Sequence, residues 1–180
     1  MDVCRLRDTP IMAFVNKMDR EGRDPVELLD EVESVLRIDC APITWPLGSG
    51  RHFIGVYRFH EDTVSLFDRS ASGGSPARII QGLGNPELDL IAPEDAQRLR
   101  EEVELLQGAS HPFDRDAYLR GKLTPVFFGS ALTHDGTDEL IDAFVDHAPA
   151  PQPRAAQTRV VDSDESGFTG FVFKIQANMD

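Results

Sequence analysis

Basic residues are scarce in this chain. Eighteen lysines and arginines stand against 31 aspartates and glutamates, for a formal net charge of −13. That balance argues against gripping a phosphate backbone by bulk electrostatics. Cysteine is nearly absent: Cys4 and Cys40 form no C-x-x-C pair and no metal-ligand cluster, which fits a reduced cytosolic setting with both thiols structural. No apolar run approaches the ~18 residues of a membrane span, and no secretory leader opens the chain, so no membrane partner is expected. G-x-x-x-x-G-K-[ST] occurs nowhere, so no loop of that type cradles phosphates. The nearest glycine-rich stretch, Gly48-Ser49-Gly50-Arg51-His52, lacks both the lysine and a following helix and reads as a hairpin turn. Five histidines (His52, His60, His111, His134, His147) are scattered with no i, i+4 pair, so neither a metal site nor a catalytic residue is expected. Glu101, Glu102 and Glu104 read as a solvated helix face, and Trp45 as core.

Ala13 to Asp19 organises what is present. The apolar run Ile11 to Val15 ends abruptly in Asn16-Lys17-Met18-Asp19, the pattern of a buried strand delivering polar groups at its C-terminal tip. In open α/β sheets that edge is where ligands bind. A carboxylate at Asp19 can accept two parallel hydrogen bonds from a ring N–H and an exocyclic amine, as guanine presents them. The apolar stem of Lys17 can lie over a purine face, and Asn16 can donate to a ring nitrogen or brace the loop. Pro125 to Phe128 is a second apolar run, ending in Gly129-Ser130-Ala131-Leu132. If its strand neighbours the first in parallel, the Ala131 N–H can meet a guanine carbonyl, and small side chains let the base approach. The pattern places Asp19 at the tip of a central strand.

Along the chain, Met1 to Asp8 reads as a helix tail with Val3 and Leu6 apolar. Asp24-Pro25-Val26-Glu27 is a helix start, with cap, first-turn proline and capping-box glutamate. Leu28, Leu29, Val32, Val35 and Leu36 form its buried stripe. Short strands are predicted over Pro42 to Pro46, Phe53 to Phe59, Thr63 to Phe67 and Ala77 to Ile80, with a loop over Ser70 to Pro76. An acidic helix over Pro93 to Gln107 turns Leu99, Val103 and Leu106 inward, and a shorter one runs from Asp114 to Arg120. A last helix, Gly136 to Ala148, has Leu140, Ile141, Phe144 and Val145 on its core face. Pro149 to Pro153 reads as a linker, and Phe168 to Ala177 as a strand without a partner of its own. Asp19 and Ser130 lie 111 positions apart, where a minimal crossover needs about 30 residues. The surplus, about Asp39 to Lys122, is large enough for an inserted subdomain.

Residues Thr9 to Arg20, Arg23 to Glu33, Cys40 to Gly48 and Phe168 to Asp180 together resemble the translational GTPases, most closely the family of bacterial peptide chain release factor 3. The resemblance implies an α/β fold: the C-terminal half of a P-loop-type GTPase domain, a parallel sheet with flanking helices. Residues 1–38 and 123–150 would supply it, 39–122 a mixed α+β insert, and 151–180 a linker and the first strand of a β-barrel domain. It implies guanine-nucleotide contacts at Asn16, Lys17, Asp19, Ser130, Ala131 and Leu132. GTP or GDP, with Mg2+ held through a half not in this sequence, would be the cofactors of a whole protein in the cytoplasm. Its partners would be the ribosome and class-I release factors, which it recycles after termination. The chain alone is expected to be catalytically inert, with no cofactor bound and weak guanine-nucleotide affinity. Two alternatives stand beside this: a piece of a GTPase like elongation factor G, or a stand-alone acidic protein-interaction module.

Overall fold

The computed structural model describes Cys4, residues 9–67 and residues 76–176. Two compact units result, residues 1–148 and 149–180.

In the first unit, β1 (Ala13–Val15), β7 (Leu123–Phe128) and β2 (Asp39–Pro42) form a parallel sheet in the order β1-β7-β2. Every residue of β7 is buried, as its apolar run demands of a strand covered on both faces. Val126 is registered with Ala13 on one side and with Pro42 on the other. The central strand is therefore the one leading to Ser130, and β1, which leads to Asp19, lies at the edge among the described residues. The sequence pattern placed Asp19 on the central strand; an apolar run marks burial but not position within the sheet.

Between β1 and β2 runs α1 (Pro25–Leu36). Its cap is as the sequence predicts: Asp24 Oδ1 accepts from the Val26 N–H at 2.8 Å, with proline in the first turn. Its stripe is narrower than predicted, because only Leu29 is fully buried and Val35 is 68% exposed.

The predicted strand Pro42 to Pro46 is two strands. Asp39–Pro42 pairs with β7, whereas β3 (Thr44–Leu47) turns into a separate antiparallel sheet with β4 (Gly55–Arg58), β5 (Thr63–Phe67) and β6 (Pro76–Gln81), in the order β3-β4-β5-β6. Asp39–Pro42 thus belongs to the parallel sheet. The switch falls at Ile43, whose N–H donates to the Val126 carbonyl at 2.9 Å while its own carbonyl accepts from Phe59 N–H at 3.1 Å. The two sheets share a core. Thr44 Oγ1 accepts from the Phe128 N–H at 3.0 Å, and the Trp45 and Phe128 rings meet edge to face with centroids 4.8 Å apart.

The antiparallel sheet is backed by helix α3 (Pro93–Ala109), which buries Ala96, Leu99, Val103 and Leu106 at helical spacing. Before it lies α2 (Pro86–Ile91), capped by Asn85, which the sequence pattern missed. Glu102 is drawn inward, accepting from Trp45 Nε1 at 2.6 Å, so this part of the acidic run is not a solvated face. Helix α4 (Arg115–Leu119) then leads into β7.

Helix α5 (Thr137–His147) departs from expectation. Ile141, Phe144 and Val145 are mostly exposed, Val145 by 72%, and no residue of the helix is fully buried. Helical spacing identifies an apolar face but cannot supply the layer that covers it. The predicted helix tail Met1 to Asp8, apart from Cys4, and the loop over residues 68–75 lie outside the described residues; Pro76 opens β6.

In the second unit the two-residue strands β8 (Arg154–Ala155) and β9 (Val160–Val161) pair antiparallel. The strand predicted over Phe168 to Ala177 does not form among its described residues. Phe168, Phe171, Val172, Phe173 and Ile175 are highly exposed, because a strand without a ladder partner leaves its backbone groups unpaired. Among the described residues, no helix is long and apolar enough to cross a membrane.

Candidate functional site

The C-terminal tips of β1 and β7 lie side by side, and their hydrogen-bond ladder continues past both strands. Gly129 N–H donates to the Val15 carbonyl and Met18 N–H to the Gly129 carbonyl, each at 3.1 Å. Gly129 is required by close approach: a Cβ there would lie 2.4 Å from the Asp135 carbonyl oxygen and 2.7 Å from Phe14 Cζ. The two loops, 16–19 and 129–132, are thereby pressed together.

Side chains then stitch the loops. Ser130, fully buried, donates its hydroxyl to Asp19 Oδ1 at 2.6 Å. The same Oγ lies 3.3 Å from the donating Thr133 N–H. Ser130 N–H donates to the Asp135 carbonyl at 2.8 Å, and Thr133 Oγ1 to Asp135 Oδ2 at 2.8 Å, closing the loop on itself. The second carboxylate oxygen of Asp19 is 4.0 Å from Arg20 Nε. Because Arg20 is exposed, that pair is screened and holds Asp19 weakly; the Ser130 bond sets its orientation.

Asn16 braces. Its Oδ1 accepts two backbone N–H groups, Lys17 at 2.7 Å and Ala131 at 2.9 Å, which leaves the Nδ2 end as its donor. The Ala131 N–H assigned from sequence to a base carbonyl is therefore engaged with Asn16. A ligand carbonyl would have to share that bond or take it over. Lys17 adopts a left-handed backbone, φ 71°, uncommon outside glycine. Arg20 N–H donates to its carbonyl at 3.0 Å, closing a tight turn. Lys17, Ala131 and Leu132 are exposed at the rim, and Met18 is buried beneath.

Sequence reasoning missed two supports. Thr133 and Asp135 hold the second loop, and Gly50 N–H donates to the Met18 carbonyl at 2.9 Å from the turn between β3 and β4. Neither support carries a sequence signal, since both depend on contacts made only when the chain folds. Among the described residues, no group of three or more His, Cys, Asp or Glu side chains could hold a metal ion.

The family model of the elongation factor Tu GTP binding domain matches residues 1–150 of this chain. Among solved structures, a crystal structure of a protein from Thermus thermophilus aligns with a TM-score of 0.54 at 23% identity, over 82% of this chain and 23% of that one. At that identity the likeness concerns the fold. This chain spans less than a quarter of that neighbour's length.

Proposed function

Because the chain belongs to the elongation factor Tu GTP binding domain family of translational GTPases, we propose that its two strand tips form the base-reading part of a guanine-nucleotide site. Asp19 takes the ring N–H and exocyclic amine of the base, Lys17 covers one face of the ring with its stem, and Asn16 offers Nδ2 to a ring nitrogen. Ser130 aims the Asp19 carboxylate, Ala131 shares its N–H with the base carbonyl, and Leu132 borders the pocket. The observation that carries this is the 2.6 Å bond from Ser130 Oγ to Asp19 Oδ1. It fixes one lone pair of a partly exposed carboxylate and leaves the others for a ligand. Adenine would turn an acceptor toward that carboxylate, and a site built on such pairing rejects the mismatched partner by up to about 10⁴–10⁵.

Phosphate positioning and charge neutralisation dominate phosphoryl transfer. The sequence has no P-loop, so those groups, with Mg2+, would come from residues outside these 180. Within the translational GTPases we place the chain with bacterial peptide chain release factor 3. The segments Cys40 to Gly48 and Phe168 to Asp180 support that choice over an elongation factor G-like protein. The whole protein would hydrolyse GTP on the ribosome and release class-I release factors. In this division residues 1–38 and 123–150 serve the GTPase domain, residues 39–122 hold the insert, and 151–180 lead into a second domain.

The test is titration of the isotopically labelled chain with GDP and with ADP, followed by amide chemical shifts. GDP should move Asp19, Ser130 and Ala131 at millimolar concentration, about −4 kcal/mol, and ADP should not. Equal responses to the two, or shifts confined to other segments, would overturn the assignment.

A further inference from the structure

The turn that joins β3 to β4 packs against the loop carrying Asp19, and does so backbone to backbone. Gly50 is buried with φ +58°, and its N–H donates to the Met18 carbonyl at 2.9 Å. A Cβ at Gly50 would lie 2.7 Å from Glu21 Cγ, 3.0 Å from Glu21 N and 3.4 Å from the Arg20 carbonyl carbon. The turn is itself tightly wound. His52 N–H donates to the Ser49 carbonyl at 3.0 Å and Phe53 N–H to the Gly50 carbonyl at 3.2 Å, while Leu47 and Phe53 on either side are buried in the core. It therefore has little room to retreat. Met18 is held on its other side by Gly129, through its own N–H. The peptide before Asp19 is thus clamped between the parallel sheet and the antiparallel sheet.

We infer that Gly50 is a positioning residue for the base site: the antiparallel sheet, through this turn, sets the backbone from Met18 to Glu21 and with it the bond between Asp19 and Ser130. The inference rests on Asn16 to Asp19 being the base-reading loop. Its consequence is that the segment between the two nucleotide motifs tunes guanine affinity without touching the nucleotide. Anything that moves the antiparallel sheet relative to β7 would reach Asp19 through the Gly50–Met18 hydrogen bond and through a contact that a Cβ at Gly50 would tighten to 2.7 Å from Glu21 Cγ.

The test uses the 180-residue chain with Gly50→Ala, and with Gly84→Ala as control, since a Cβ at Gly84 meets nothing within 4 Å. Two readouts separate the coupling from the site. In the ligand-free chain, Gly50→Ala should shift the amides of Met18 to Glu21 and of Ser130, and Gly84→Ala should not. In GDP titration, Gly50→Ala should weaken binding about tenfold, with Glu21→Ala in the same chain recovering part of the loss by removing Cγ. If Gly50→Ala does not fold, Glu21→Gly loosens the same contact from the loop side and should weaken GDP binding in the same direction. Unmoved Asp19 and Ser130 amides together with unchanged GDP affinity would overturn the inference. Moved amides in a chain that shows no GDP response would uphold the coupling and contradict the base-site assignment instead.

Discussion

Ser130 and Asp19, 111 positions apart, are joined by a hydroxyl-to-carboxylate hydrogen bond of 2.6 Å at the shared tip of two parallel strands. The hydroxyl also accepts from the Thr133 N–H. One buried oxygen therefore holds the acid of one loop and the backbone of the other. Charge-assisted bonds of this length are roughly twice as strong as neutral ones, and this one aims Asp19 before any ligand arrives.

Ser130→Ala removes that aim without removing the acid. A hydrogen bond to a charged group is worth about 1.5–3 kcal/mol net, so GDP binding should weaken by about ten- to a hundredfold. Titration followed at the Lys17 and Ala131 amides reads this directly. Undiminished affinity in Ser130→Ala would mean that Asp19 is held by something other than the serine.

Cys40 should be inert while the chain is folded. Its thiol is buried and pushed up to about 12, first by burial and then by Glu33 and Asp39, so the reactive thiolate is disfavoured at neutral pH. Alkylation at about pH 8, near the ordinary thiol pKa, followed by mass spectrometry should leave Cys40 unmodified until denaturant is added. Labelling of native Cys40 at the rate of a small free thiol would show that β2 opens from the parallel sheet.

Glu139 gives stability a pH dependence of definite sign. Burial raises its carboxyl above the ordinary range, its own backbone N–H and Arg58, 3.7 Å away, pull the other way, and Asp138 and Asp142 add to the rise. The folded state then binds this proton more tightly than the unfolded one, whose glutamate titrates near about 4.3. Stability from this group is fully present below that value and is lost as pH rises toward the folded pKa, remaining flat above it. Glu102, raised by burial against the opposing pull of Trp45, acts in the same sense. Melting temperatures of wild type and Glu139→Gln from about pH 4 to about pH 8, a span that brackets the ordinary glutamate pKa and the rise above it, should show a shallower slope for the variant. A steeper fall in Glu139→Gln would contradict the assignment.

Elements whose causes are local were legible in sequence. Asp24 caps α1 through an atom two residues away, and Leu99, Val103 and Leu106 sit on one side of α3 at its own period. The runs before Asn16 and before Gly129 announced β1 and β7 by their apolar character, although only β7 is buried throughout and β1 is half-buried. What stayed hidden depends on partners. Nothing local in Pro42 to Pro46 marks Ile43 as the point where one strand leaves β7 and the next joins β4. Val35 and Phe144 have the spacing of core residues, yet the described layers do not reach them. At the site, the residue types of both loops were readable, but the capture of the Ala131 N–H by Asn16 and the seating of Gly50 beneath Met18 are contacts made only by folding.

The most direct measurement is competition between GDP and xanthosine diphosphate for wild type and Asp19→Asn. Xanthine replaces guanine's exocyclic amine with a carbonyl, which a carboxylate repels and an asparagine amide can donate to. A mispaired acceptor costs about 1–3 kcal/mol, so Asp19→Asn should move the preference at least about tenfold toward xanthosine diphosphate. An unchanged ratio of the two affinities in Asp19→Asn would mean that Asp19 does not read the base.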